Sequence, residues 1–179
     1  MNLQQLWQSR GYNYYPTDKG LQHSYLEVYG ELFNKFQHEK INLIEIGIYL
    51  GGSVRLFSDW FTNANIIGYD ITDDEIKVPL GRCKKILKDC NDFTLDEFKD
   101  FPPHIIIDDA SHLIEDQLKM VEICYPQIQP GGYLIIEDIQ EIQYNKSKFD
   151  KLGIPYKLYD LRLQKNRWDD ILIVYQKPE

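Results

Sequence analysis

No stretch of this 179-residue chain is apolar for the length of a membrane span. Its first residues, MNLQQLWQSRGYNYY, have no apolar core long enough for a signal peptide. Cysteine is scarce. Cys83, Cys90 and Cys124 show neither metal-ligand spacing nor an even-numbered disulfide framework, so a reducing cytoplasmic setting is expected. Positive charge is also short. A formal net charge of −8 gives phosphate no electrostatic footprint and argues against nucleic acid or anionic membrane as a partner. The basic run Arg82, Lys84, Lys85, Lys88 reads as a solvated strand edge. Internal repeats and low-complexity segments are missing. Core-forming residues are plentiful: 43% hydrophobic and 13% aromatic suffice for one globular domain over 1–179, with 1–16 as a short lead-in.

Strands and helices alternate along the chain. Thr17-Asp18-Lys19-Gly20 reads as a turn, and Thr17 or Asp18 can cap the helix after it. The apolar positions Leu26, Tyr29, Leu32, Phe33 and Phe36 predict a helix over about 21–36. Residues 41–47 (INLIEIG) read as the first strand, 54–61 as a helix, 66–71 (IIGYDI) as the second strand and 83–87 as a short third. A short helix is expected over 94–100, broken by Pro102-Pro103. A strand from Ile105, a helix over about 113–128 and a strand from Tyr133 come next. Residues 156–163 and 168–176 close the chain as two strands around a turn at 164–167. Such βαβ order predicts an α/β fold with a mostly parallel sheet and helices on both faces. The closing hairpin must add at least one antiparallel strand.

Two of these strands end abruptly in acid. Ile105-Ile106-Ile107 runs into Asp108-Asp109, and Tyr133-Leu134-Ile135-Ile136 runs into Glu137-Asp138. Unbroken apolar, β-branched runs fit strands buried on both faces. In an open parallel sheet, ligands bind at the carboxyl ends of the strands. Up to four carboxylates would gather there, and repulsion would drive at least one towards its neutral form. A hard cation such as Mg²⁺, Mn²⁺ or Ca²⁺ would relieve it through oxygen ligands. His112 lies three residues beyond the first pair.

The first strand leads into Gly47-Ile48-Tyr49-Leu50-Gly51-Gly52-Ser53, preceded by Glu45. A strand, a glycine turn and a helix N-terminus cradle nucleotide-like ligands. The spacing is Gly-x-x-x-Gly-Gly, not the Gly-x-Gly-x-x-Gly of dinucleotide binding. Asp70 ends the second strand, placed to accept hydrogen bonds from both hydroxyls of a ribose. The polar loop Asp89-Cys90-Asn91-Asp92 lies after the third. Candidate ligand-binding residues are therefore Glu45, Gly47, Tyr49, Gly51, Gly52, Ser53, Asp70, Asp89 and Asn91.

The Glu45–Ser53 turn, Asp70, Pro130-Gly131-Gly132 and the final hairpin together resemble class I S-adenosylmethionine-dependent methyltransferases. Thr17-Asp18-Lys19-Gly20, Asp108-Asp109-Ala110-Ser111-His112, Glu137-Asp138 and Asp169-Asp170-Ile171-Leu172-Ile173-Val174 are similar to the metal-dependent O-methyltransferases of macrolide sugars. The resemblance runs from about Pro16 to Lys177. It implies a Rossmann-like seven-stranded sheet of order 3-2-1-4-5-7-6. It also implies Mg²⁺ held by Asp109, Glu137 and Asp138, with His112 as general base. Asp108 would line the cofactor side or cap the next helix, and Lys19 would meet the cofactor carboxylate. The acceptor would be the hydroxyl of a sugar or glycosylated small molecule. The macrolide-sugar enzymes carry a long N-terminal region where this chain has only a short lead-in.

A metal chelated by vicinal hydroxyls would lower the pKa of one, and His112 would take its proton. His23, in the first helix near the Thr17–Gly20 loop, either packs against the site or, as the preferred reading, lies on a solvated helix face, and His104 reads as structural. Trp7, Tyr12, Tyr14 and Tyr15 fit an acceptor-covering flap or a contact between subunits of a homo-oligomer equally well. Two other readings compete: an NAD-dependent oxidoreductase or epimerase, and a non-catalytic subunit that keeps the cofactor fold.

Overall fold

The computed structural model describes residues 1–179. Seven strands form one sheet: β1 (Asn42–Ile46), β2 (Asn65–Asp70), β3 (Cys83–Leu87), β4 (Ile105–Asp108), β5 (Tyr133–Ile136), β6 (Lys157–Asp160) and β7 (Ile171–Gln176). Their order is β3-β2-β1-β4-β5-β7-β6, as the resemblance implies. Strands β1 to β5 run parallel, and β7 is antiparallel to both β5 and β6. The chain reverses its direction of travel across the sheet between β1 and β4. A crevice opens at such a switch point, outside the strand ends.

Alternation along the strands explains the two cores. Leu43, Ile105, Ile107, Tyr133, Ile135, Leu172 and Val174 face one side. Ile44, Ile46, Ile106, Leu134, Ile136, Ile171 and Ile173 face the other. The first side is covered by α1 (Leu3–Arg10), α2 (Asp18–Leu21), α3 (Tyr25–Phe33) and α4 (Gly52–Trp60), the second by α5 (Ile114–Cys124) and α6 (Ile142–Asp150). Each such isoleucine or leucine contributes about 1.5–3 kcal/mol relative to exposure. No helix is long and apolar enough to cross a membrane.

Several expected elements differ. The lead-in is folded: Asn2 and Gln5 form a reciprocal capping box for α1, and Leu3 and Tyr15 are fully buried. The helix expected over 21–36 is interrupted. Thr17 caps α2, the chain breaks at Gln22–Ser24, and Ser24 N–H donates to Asp170 before α3 begins. Residues 94–100 make turns and no helix, with Phe98 N–H drawn to the Gln127 side chain. The closing strands are shorter than expected, because the four-residue α7 (Arg162–Lys165) sits between them.

Candidate active site

The register sets which acids meet. Ile46 pairs with Asp108, and Asp108 with Ile136, so β1, β4 and β5 end level. The ladder continues one step further, with Asp109 N–H bonded to Ile46 O and Glu137 N–H to Asp108 O. Period two then puts Glu45, Asp109 and Glu137 on the face of Leu43, Ile107 and Ile135, towards α2 and α3. Asp108 falls on the opposite face.

Into that carboxylate triad comes Lys19, only 1% exposed. Its Nζ lies 2.5 Å from Asp109 Oδ2, 2.7 Å from Glu137 Oε2 and 3.4 Å from Glu45 Oε1. Burial alone would depress this amine, but Asp109, Glu137 and Glu45 hold it well above the usual lysine range. The ammonium therefore points beneath the strand ends, at protein carboxylates. Glu137 is further held by the Tyr29 hydroxyl, which donates to Oε1. Ser53 Oγ donates to Glu45 Oε2 at 2.9 Å.

A second layer surrounds Asp138. Tyr25 donates to its Oδ1 at 2.6 Å. His23, expected on a solvated face, is 1% exposed and stacked on Tyr25. Its Nδ1 stands 3.5 Å from Asp138 and 3.4 Å from Asp170. The break between α2 and α3 turns it inward. His112 bridges the layers: Nε2 is 3.1 Å from Asp109 Oδ1, and Nδ1 is 3.6 Å from Asp138 Oδ2. The Asp109 hydrogen bond outweighs burial and raises His112 to about 8. His112 (φ 57°) and Asp138 (φ 53°) both hold left-handed backbone conformations, a strain that clusters at functional sites.

Negative charge is in excess here. Burial, reinforced by Asp109, pushes Asp108 to about 7 and Asp138 to about 6, and drives Glu137 well above the usual range. Burial also lifts Glu45 to about 7, against the pull of Lys19. Asp109 alone lies low, because Lys19 and His112 overcome its burial. Lys19 meets only three of these five carboxyls. Asp109, His112 and Asp138 bring ligand atoms within 4.8 Å of one another, and so do Glu45, Asp109 and Glu137. Asp109 belongs to both sets. This oxygen-rich, under-neutralised donor set suits a hard divalent cation.

Beside it runs a cleft of about 730 Å³, within the usual range for small-molecule sites. Among the sequence candidates, Gly47, Tyr49, Gly52, Ser53, Asp70, Asp89, Asn91, Asp109 and His112 line it; Lys19, Glu45, Gly51, Asp108, Glu137 and Asp138 lie outside its wall. Asp70 organises the glycine turn: its Oδ2 accepts from Ile48 N–H and Tyr49 N–H, both at 2.9 Å. Asp89 similarly accepts from Asn91 N–H at 2.8 Å. Gly47 permits the closest approach. A Cβ there would lie 2.1 Å from the Asp109 carbonyl oxygen.

Tyr25 and Tyr29 are site residues that the sequence reading does not pick out, and His23 packs against the site rather than taking the solvated face preferred for it. The signal was present in the i, i+4 pair Tyr25 and Tyr29, which carries hydroxyl-tipped rings on the apolar face of one helix.

No protein-family model matches the chain. Demethylmacrocin O-methyltransferase of Streptomyces fradiae is 29% identical over 166 residues, covering 82% of this chain and 42% of that enzyme. Mycinamicin VI 2''-O-methyltransferase of Micromonospora griseorubida is 29% identical over 143 residues, covering 70% of this chain and 34% of that enzyme. The chain thus spans less than half the length of these relatives. Among solved structures, MycE methyltransferase in complex with Mg and SAH superposes on 99% of this chain and 55% of its own, with TM-score 0.74 and 24% identity. An rRNA methylase from Streptococcus thermophilus covers 83% of this chain and 93% of its own, with TM-score 0.61 and 14% identity. The chain has the class I methyltransferase fold and resembles the O-methyltransferases of macrolide sugars over most of its length.

Proposed function

We propose that this chain is an S-adenosylmethionine- and Mg²⁺-dependent O-methyltransferase acting on a hydroxyl of a sugar or glycosylated small molecule. One observation carries the reading. The cleft under the glycine turn opens on Asp109 and His112, directly beside a buried excess of carboxylate. The relatives named demethylmacrocin O-methyltransferase and mycinamicin VI 2''-O-methyltransferase, and the MycE complex with Mg, SAH and mycinamycin VI, support the same chemistry.

In this reading Asp70 accepts the ribose hydroxyls in competition with backbone amides that reach both of its oxygens, Ile48 and Tyr49 N–H at Oδ2 and Ile71 and Thr72 N–H at Oδ1. The turn from Gly47 to Ser53 and the loop with Asp89 and Asn91 shape the rest of the cofactor pocket. Asp109, Glu137 and Asp138 hold the metal, and Asp108 supports them from the opposite face. When bound, the cofactor supplies a methyl group on a positively charged sulfur. A hard divalent cation held there would supply Lewis acidity and would lower the pKa of an acceptor hydroxyl. His112 takes the hydroxyl proton in its neutral form, which its raised value of about 8 places on the alkaline side in the metal-free protein; it is partly exposed in the cleft, and Asp109 orients its ring. Enclosure in the cleft would orient donor and acceptor relative to one another.

The acceptor side is a small molecule, not nucleic acid or membrane, in keeping with the charge of −8. The whole chain serves as one methyltransferase domain in the cytoplasm, where the three free cysteines stay reduced. A homo-oligomer would bury aromatic surface left open by Tyr12 and Trp168.

Calorimetry tests the donor: one-site binding of S-adenosylmethionine is expected, and its absence overturns the reading. With a glycoside acceptor, EDTA should abolish methylation and Mg²⁺ restore it. Activity that survives EDTA would refute the metal role.

A further inference from the structure

Lys19 sits where a dissolved cation would be expected. The backbone that carries it is pinned. Thr17 Oγ1 accepts from Lys19 N–H, and a Cβ on Gly20 would meet Leu26 at 2.5 Å and Trp7 at 2.8 Å, so α2 lies tight against α1 and α3. Its side chain has no route to solvent at 1% exposure, and its ammonium meets one oxygen from each of Glu45, Asp109 and Glu137. Two of those three are the residues assigned above to the metal. Both oxygens of Glu137 are engaged by this arrangement, with Tyr29 on one and Lys19 on the other. Asp109 keeps only Oδ1 facing His112 and the cleft. Glu45 Oε1 has no hydrogen-bond donor of its own.

Two cations cannot share these oxygens at full strength. An ammonium in contact with a ligand oxygen is a strong competitor for it and a strongly repelling neighbour of any second cation.

We propose that Lys19 is the built-in counter-ion of the metal centre: it holds Asp109 and Glu137 together in the metal-free protein and gives up their oxygens when a divalent cation enters. This rests on the metal-dependent reading of the site. Lys19 is a positioning residue and does not touch the reacting atoms. Metal loading is thereby an exchange of one cation for another. The carboxylates are gathered beforehand, at a cost in metal affinity.

The test is calorimetric titration of Mg²⁺ into the cofactor-free protein. Lys19→Met combined with Glu45→Gln removes the ammonium together with one of the three carboxyls that it meets. Released from competition, the double variant should bind Mg²⁺ about tenfold more tightly or better than wild type and than Glu45→Gln alone. Equal or weaker binding in the folded double variant overturns the proposal. Wild type that takes up no Mg²⁺ overturns the metal reading first, and the proposal with it. Should the double variant fail to fold, the wild-type protein decides. The ¹⁵N ammonium resonance of Lys19, the one buried lysine, must move as Mg²⁺ saturates. A resonance that stays in place refutes the exchange.

Discussion

Gly47→Ala and Gly51→Ala form a matched pair that separates backbone conformation from contact. Both glycines hold a positive φ, 86° and 83°. An alanine in that region costs about 1–2 kcal/mol at either position. What a new methyl would meet differs. At Gly51 the nearest atom is the Leu80 Cδ2 at 2.5 Å, the end of a side chain that can rotate away. At Gly47 it is the Asp109 carbonyl oxygen at 2.1 Å, and next the Asp109 carbonyl carbon at 2.7 Å. That backbone is tied down, because Asp109 N–H bonds Ile46 O at 2.9 Å and Gly47 N–H bonds Tyr69 O at 2.8 Å. Relief requires β1 and β4 to part at their carboxyl ends, an overpacking cost of about 1–3 kcal/mol. Urea unfolding should therefore place Gly51→Ala about 1–2 kcal/mol below wild type and Gly47→Ala about 1–3 kcal/mol lower again. Because Asp109 moves with its carbonyl, Gly47→Ala should also weaken Mg²⁺ binding, whereas Gly51→Ala should not. Equal destabilisation by the two alanines would refute the claim that the glycine turn and the acidic strand end are in rigid contact.

Tyr29→Phe removes the donor to a fully buried carboxyl and should cost about 1.5–3 kcal/mol by chemical denaturation; a loss under about 0.5 kcal/mol would mean that the hydroxyl is not engaged. The metal-free protein should lose stability on the alkaline side. His112 rises from 6.5 to about 8 on folding, chiefly through its hydrogen bond to Asp109. A raised folded pKa means that the stabilisation is complete below 6.5 and is lost as pH climbs through about 8. The loss should amount to about 2 kcal/mol at most. Thermal melts of His112→Ala should lose less stability across that window than wild type, the remaining slope coming from Asp108 and Glu45 near 7; a variant as steep as wild type would show that Asp109 does not hold the imidazolium.

The legible parts of the molecule are those where one residue type answers one physical demand. Ile105–Ile107 and Tyr133–Ile136 must bury both faces, so their runs are unbroken, and the switch to carboxylate marks the rim. The glycine turn is readable for the same reason, since only glycine tolerates the Asp109 carbonyl at Gly47. Strand order is another matter. Nothing in the apolar pattern ranks β7 between β5 and β6, and it came from the resemblance alone. The inward turn of Lys19 and His23 was hidden because each sits in a polar stretch that reads as solvated, and the break at Gln22–Ser24 breaks the helical period that would have placed them. Yet the acids held a clue. Glu45 stands inside INLIEIG two residues from Leu43, on a face that the alternation assigns to the core. A carboxylate in that position is too costly to leave unpaired and requires a donor or a cation from the element packed above it. Counting forward by twos from Ile107 and Ile135 brings Asp109 and Glu137 to the same face. Three acids on one buried surface call for positive charge from the covering segment, and within Thr17–Gly20 only Lys19 can supply it.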